Sequence, residues 1–294
     1  MKPAPFTYIP AFTVEDAVAA LTQNPDAKIL AGGQSLIPMM NMRLAHPEAL
    51  IDINPIQSLD GIALEGNELS IGALTRHRAL ETNPLIRQYC PLVAVAEAHV
   101  AHGAIRTRGT IGGSLSHADP AAELPLVFRL LDGRAEVMSP DGPRTVEAAD
   151  FFMTFFMTAL GPTDLLTTVR LPVLQPGEGY GFQEFSPRQG DFGLALAAVT
   201  LKLDENRHIQ AVRLALGGVA DVPLRLTEWE RQLAGQPWHP ATIREACQAI
   251  SAWIEPPDDI HASAAYRTHL AMTLTERALY DAYRRITTPS EGDA

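Results

Sequence analysis

Cysteine is scarce, with only Cys90 and Cys247 in a chain of 294 residues. That excludes a disulfide framework, a four-cysteine zinc site and a cysteine-ligated iron–sulfur cluster. Positive charge is also in deficit. Lys and Arg number 23 against 34 Asp and Glu, a formal net charge of −11. Such a chain is poorly suited to track a phosphate backbone, so no nucleic-acid partner is expected. Long apolar runs are missing too. The longest uncharged stretches, Ile29–Met42 and Phe151–Thr163, are too short to cross a bilayer and contain Gly and Pro, so no transmembrane segment is expected. The opening Met-Lys-Pro-Ala-Pro-Phe-Thr has no apolar signal core behind its lysine, and a cytoplasmic location is the default expectation.

Several chemical signatures are absent as well. No Gly-x-Gly-x-x-Gly follows a strand, which leaves a dinucleotide-binding Rossmann unit unsupported. There is no Walker lysine motif, no Gly-x-Ser-x-Gly elbow and no His-Glu-x-x-His. His99 and His102 share a helical face without a third ligand, so no metal is expected. What the chain does have is material for a large core. Hydrophobic residues make up 46% and charged residues 19%, which excludes general disorder. At this length two domains, or three small ones, are expected.

The hydrophobic periodicity predicts the elements. Thr13-Val-Glu-Asp16 has the form of a capping box, with Val14, Val18 and Leu21 following at helical spacing. Lys28–Ala31 reads as a short strand running into Gly32-Gly33, and Leu50–Ile53 as a second. Leu69–Ile71 and Leu165–Leu171 read as strands, and Arg134–Met138 with Arg144–Val146 as a hairpin. Pro84 to His102 is helical in pattern, with Pro91 imposing a kink or a break into two helices. Pro172–Gly181, rich in Pro and Gly, is the expected domain boundary. Beyond it, Leu194–Leu203 places Ala195, Ala197, Val199, Leu201 and Leu203 on one face, and Ile209–Leu216 returns as the partner strand. Leu224–Leu233, Thr242–Ile254 and Ala262–Arg285 suggest three helices, the last lined by Tyr266, Leu270, Leu274 and Ala278. Thr287–Ala294 reads as a frayed tail.

Two double-glycine segments stand out. The first is Ala31-Gly32-Gly33-Gln34-Ser35, the second Thr110-Ile111-Gly112-Gly113-Ser114. Paired glycines allow positive φ and close approach, and successive N–H groups in such a turn form an anion-binding concavity. Two of these could hold the two phosphates of a dinucleotide. Two tight turns that need glycine only for their geometry explain the pattern equally well.

Taken together, Ala31-Gly-Gly-Gln-Ser-Leu-Ile-Pro-Met-Met, Thr110-Ile-Gly-Gly-Ser and Ala118-Asp-Pro-Ala-Ala-Glu-Leu-Pro125 resemble the FAD-binding medium subunit of the molybdenum hydroxylases. Carbon monoxide dehydrogenase and the xanthine dehydrogenase-like enzymes belong to that family. The resemblance extends through Gly190-Asp191-Phe192 and Ala265-Tyr266-Arg267-Thr268. It implies an α+β fold in three parts: a small N-terminal α/β unit (1–55), a middle α+β unit with a mainly antiparallel sheet (56–175), and a C-terminal antiparallel sheet with a helical bundle (176–288). The first two form the FAD-binding fold.

The resemblance also implies non-covalent FAD with its pyrophosphate between the two glycine segments. Leu30, Ala31, Gly32, Gly33, Gln34, Ser35, Leu36 and Ile37 would form one wall, and Thr110, Ile111, Gly112, Gly113 and Ser114 the other. Glu123 falls where the family often has an aspartate near the adenosine end. Leu166 and Gln183 match further cofactor-contacting positions, and Phe192 falls near the flavin ring. Ser114 replaces a more usual asparagine and Gln183 a common lysine, which removes one positive charge near the flavin. Gly113 is expected to sit where backbone meets pyrophosphate, with positive φ or a close approach.

The same resemblance implies partners: a large subunit with the molybdenum cofactor and a small subunit with [2Fe-2S] clusters, in a dimer of heterotrimers. Electrons would pass from the clusters to FAD and on to an acceptor, and no residue of this chain would be catalytic towards the organic substrate. The competing expectations are a self-sufficient FAD oxidase and a non-catalytic nucleotide-binding protein.

Overall fold

The computed structural model describes residues 1–288 and divides into two compact units. The predicted tail lies, from residue 289 onward, outside the described residues.

The first unit comprises residues 1–90, 102–118 and 132–172. It begins with a parallel sheet in which Ala49–Asp52 lies between Thr7–Pro10 and Lys28–Leu30. Parallel strands need a crossover, and helix Val14–Gln23 supplies it. The expected capping box starts this helix. Thr13 Oγ1 accepts from the Asp16 amide at 3.0 Å, and the Asp16 carboxylate accepts from the Thr13 amide at 3.1 Å. Ala17, Val18 and Leu21 then pack into a core with Ala49, Ile51 and Ile53. The second sheet is antiparallel throughout, in the order Ile62–Glu65, Glu68–Gly72, Leu165–Pro172, Arg134–Ser139, Gly142–Glu147. A register shift between Leu166 and Thr168 interrupts its central strand.

The second unit comprises residues 91–101, 119–131 and 173 onward. The hairpin of Ala195–Leu203 and Ile209–Gly217 is the centre of a four-stranded antiparallel sheet, flanked by Glu178–Phe185 and Leu224–Arg225. Ala195, Ala197, Val199 and Leu201 share one core with Leu270, Leu274 and Ala278 of the helix Ala264–Thr287, as their spacing predicts. Backbone meets backbone here. A Cβ on Gly181 would overlap the Ala278 carbonyl, so only glycine lets the helix lie this close to the sheet. Trp229 is buried, its indole N–H donating to the Ala246 carbonyl at 2.7 Å.

Two readings change, and one resolves between its alternatives. Leu224–Arg225 is strand, and the helix starts only at Thr227. Tyr266 is 42% exposed and leaves the apolar face of the last helix, although it follows the helical spacing. Pro91 opens a new helix, Pro91–Glu97, after Pro84–Tyr89 has ended, because proline suits a first turn and disrupts an interior.

Candidate functional site

The first double-glycine segment follows strand Lys28–Leu30 and leads into the short helix Leu36–Asn41. Gly33 takes φ +70°, which a glycine adopts without strain. Gly32 is required for another reason. A Cβ there would overlap the Arg108 carbonyl and lie 2.8 Å from Gly109 Cα. The residues just before Thr110 therefore rest directly on the first glycine segment. The fold thus brings the two segments together by backbone contact within the first unit.

The first segment keeps its amides free while its carbonyls are tied down. Asn54 Nδ2 donates to the Ala31 carbonyl at 2.9 Å, and Gln34 Nε2 to the Gly32 carbonyl at 2.9 Å. The N–H groups of Gly33, Gln34, Ser35 and Leu36 have no protein acceptor among the described residues. Of these residues Gly33 and Gln34 border a cleft of about 440 Å³, which is lined also by Leu30, Ala31, Gly32 and Ile37 on this side, and by Asp52, Asn54 and Arg108 beyond. Free amides in a cleft that an arginine also lines suit an anionic group.

Asp52 anchors the floor of this cleft. Tyr8 donates to it at 2.5 Å and the Asn54 amide at 3.0 Å. Burial works to raise its carboxyl, but the hydrogen bonds from Tyr8 and Asn54 outweigh it and, with the charge of Arg76, hold it below the ordinary range. The Tyr8 hydroxyl is raised in turn, chiefly by donating to that carboxylate.

The second segment is built differently from the expected concavity. Thr110 is the N-cap of a helix, Ile111–His117, and its hydroxyl accepts from the Gly113 amide at 3.1 Å. The amides of Ile111 and Gly112 donate to the carbonyls of Thr75 at 3.1 Å and Ala73 at 2.9 Å, and that of Ser114 to Thr110 at 3.0 Å. All four amides are spent inside the protein. Gly113 is absent from the positive-φ residues and is helical, which corrects the expectation of a left-handed conformation. Its glycine instead leaves a bare, exposed patch at the start of the helix. Gly112 is the glycine held by packing, since a Cβ there would lie 2.7 Å from the Ala73 Cβ.

The remaining expected residues are scattered. Leu166 is a buried residue of the central strand Leu165–Pro172, at its register shift. Glu123, Gln183 and Phe192 all belong to the second unit. Glu123 opens the helix Glu123–Leu130. Gln183 donates to Asp281 at 2.6 Å. Phe192 is 69% exposed, which rules out a core role. Asp52, Asn54, Arg76 and Arg108 escaped the sequence reading. The signals available were Asn54-Pro55 closing a strand and Arg106-Thr-Arg108 just ahead of the second glycine pair. Among the described residues no cluster of three or more His, Cys, Asp or Glu could hold a metal, and no helix is long and apolar enough to cross a membrane.

Comparison with known proteins bears on this geometry. Residues 4–174 match the family described as the FAD binding domain in molybdopterin dehydrogenase, and residues 180–282 the CO dehydrogenase flavoprotein C-terminal domain. The chain is 39% identical over 286 residues to the 6-hydroxypseudooxynicotine dehydrogenase complex subunit alpha of Paenarthrobacter nicotinovorans, covering 97% of each. It is 36% identical to the carbon monoxide dehydrogenase medium chain of Hydrogenophaga pseudoflava, covering 97% of this chain and 99% of that one. A solved structure of carbon monoxide dehydrogenase from the same organism superposes with a TM-score of 0.94 at 36% identity, over 97% of this chain and 99% of the other.

Proposed function

Because this chain belongs to the FAD-binding medium-subunit family of the molybdenum hydroxylases, we propose that it accepts electrons from an iron–sulfur partner subunit and passes them to an external acceptor. Bound FAD supplies a carrier that exchanges electrons singly or in pairs. The protein's part is to bind and orient it. The observation that carries the site assignment is the pair of free amides of Gly33 and Gln34, in residues that line a cleft shared with Arg108. These donors fit a pyrophosphate, and no lysine is needed for charge balance.

Leu30, Ala31 and Ile37 supply the apolar part of that wall. Gly113 offers a surface without a side chain, so a flat or bulky group can approach the helix start closely. Ser114, half-buried on the same helix, adds a hydroxyl. Leu166 belongs to the same unit and is a further proposed contact, while Glu123, Gln183 and the exposed Phe192 are proposed cofactor contacts of the second unit on the family resemblance alone. None of these residues handles a proton of the organic substrate. Its oxidation is assigned to a large molybdenum subunit, with [2Fe-2S] clusters on a small one, in a cytoplasmic dimer of heterotrimers.

The test has two parts. The purified chain should release FAD into the supernatant on heat or acid precipitation, with no colour left on the protein. Alone, it should not oxidise an aldehyde or N-heterocycle, whereas its complex with an iron–sulfur and a molybdenum subunit should. Turnover by the lone chain at enzymatic rates, roughly 1–10³ per second, would overturn the subunit reading in favour of a self-sufficient oxidase.

A further inference from the structure

One side chain ties together two of the stretches that line the cleft. Arg76 precedes helix His77–Thr82, and its backbone forms an antiparallel bridge with Thr110 of the second glycine segment. Its Nη1 donates to the Arg108 carbonyl at 2.5 Å, the carbonyl on which Gly32 packs. Its Nη2 donates to Asn54 Oδ1 at 2.7 Å. Asn54 in turn holds the Ala31 carbonyl at 2.9 Å and is itself held by Asp52. The guanidinium therefore joins the first glycine segment, through Asn54, to the turn that leads into the second. It is half-buried, and burial lowers its affinity for a proton, opposed by the nearby Asp60 and Asp52 charges.

We propose that Arg76 is a positioning residue for the cofactor's pyrophosphate: it sets the first glycine segment through Asn54 and so holds the free amides of Gly33 and Gln34 at the cleft. The proposal rests on the FAD-binding reading and extends it to a residue that does not line the cleft. The physical argument concerns the carbonyl side of the segment. A tight turn with both its amides and its carbonyls free has many conformations, and ordering it on binding costs affinity. Pinning the Ala31 carbonyl from behind through Asn54 removes part of that cost beforehand. Arginine suits the task because its planar fork serves two acceptors at fixed angles while staying charged. Removing it strands two acceptors, the Arg108 carbonyl and Asn54 Oδ1, next to the segment they were holding.

The experiment measures the dissociation constant of FAD from the deflavinated chain by flavin fluorescence, with thermal unfolding of each apo variant as the check on folding. Arg76→Met should weaken FAD by on the order of 10- to 100-fold, the range for losing hydrogen bonds to a charged donor. Arg76→Lys keeps one donor and should recover part of the loss. Asn54→Ala should reproduce the loss, and the double variant Arg76→Met/Asn54→Ala should bind about as well as either single one, because both act through one linkage. Native affinity in Arg76→Met overturns the proposal. So do losses that add in the double variant, or an Arg76→Lys protein no better than Arg76→Met. If Arg76→Met fails to fold, Arg76→Lys and Asn54→Ala carry the test: an intermediate loss in the first with a full loss in the second supports the linkage, and native binding in either rejects it. A wild-type chain that does not bind FAD at all refutes the cofactor assignment rather than this role of Arg76.

Discussion

The two double-glycine segments differ in which glycine each depends on, and alanine substitution separates them. At Gly32 a methyl group would overlap the Arg108 carbonyl and stand 2.9 Å from the Arg108 carbonyl carbon and 2.8 Å from Gly109 Cα. All three neighbours are backbone, so no rotamer change relieves the overlap. The first segment and the turn before Thr110 must separate. Overpacking of this kind costs typically ~1–3 kcal/mol. Because the displaced backbone is the wall of the cleft, FAD affinity should fall with stability.

Among the described residues, apart from its chain neighbours and its helix's own backbone, a methyl at Gly113 would meet only Thr110 Oγ1 within 4 Å, at 2.9 Å. That hydroxyl can rotate, and alanine is favoured over glycine in a helix by ~1 kcal/mol. Gly113→Ala should therefore unfold within about 1 kcal/mol of the native chain. The assay is thermal and urea unfolding of both apo variants, followed by FAD titration. Gly32→Ala should lose stability and bind FAD weakly, while Gly113→Ala keeps its stability. Any loss of FAD in Gly113→Ala then reports the added methyl at the bare patch, not a damaged fold. A Gly32→Ala protein with native stability and native FAD affinity would refute the close-contact reasoning. A Gly113→Ala protein as unstable as Gly32→Ala would show that the helix start is packed more tightly than described.

Two further outcomes follow from polar groups. Burial, then the charge of Glu123, pushes the Glu184 carboxyl up to about 8, while His99, 3.8 Å away, is lowered by burial. Their contact at neutral pH thus joins a neutral acid to a neutral imidazole, not an ion pair. A raised carboxyl stabilises the fold fully below its unfolded value near 4.5 and loses that contribution as pH rises towards 8. Glu184→Gln should flatten this fall, which amounts to ~1.4 kcal/mol per pH unit at most. All three tryptophans, Trp229, Trp238 and Trp253, lie in the same unit, so their fluorescence in urea at pH 5, 7 and 9 is the readout, and parallel pH profiles for variant and wild type would count against it. Thr110 is buried and caps the helix Ile111–His117 through Gly113, so Thr110→Val should cost ~1 kcal/mol of unfolding free energy and Thr110→Ser much less. Equal melting temperatures for the two would show that the cap contributes nothing.

Periodicity and local chemistry were enough for much of the architecture. The capping box at Thr13, the break at Pro91, the hairpin of Ala195–Leu203 with Ile209–Gly217 and the long last helix all follow from contacts or conformational preferences a few residues apart. The glycine pairs were equally visible, and the motif they form identified the family. Their separate roles were not legible, because a glycine's purpose depends on what approaches it. Gly32 is needed by Arg108 and Gly112 by Ala73, neighbours distant in sequence, while Gly113 meets only its own cap. Tertiary structure alone also decided which amides stay free. Those of the second segment are consumed by Ala73, Thr75 and Thr110, and those of Gly33–Leu36 are not. Asn54, Arg76 and Arg108 come together only when three stretches of chain converge, since a guanidinium finds its two acceptors through space and leaves no periodic trace along the sequence.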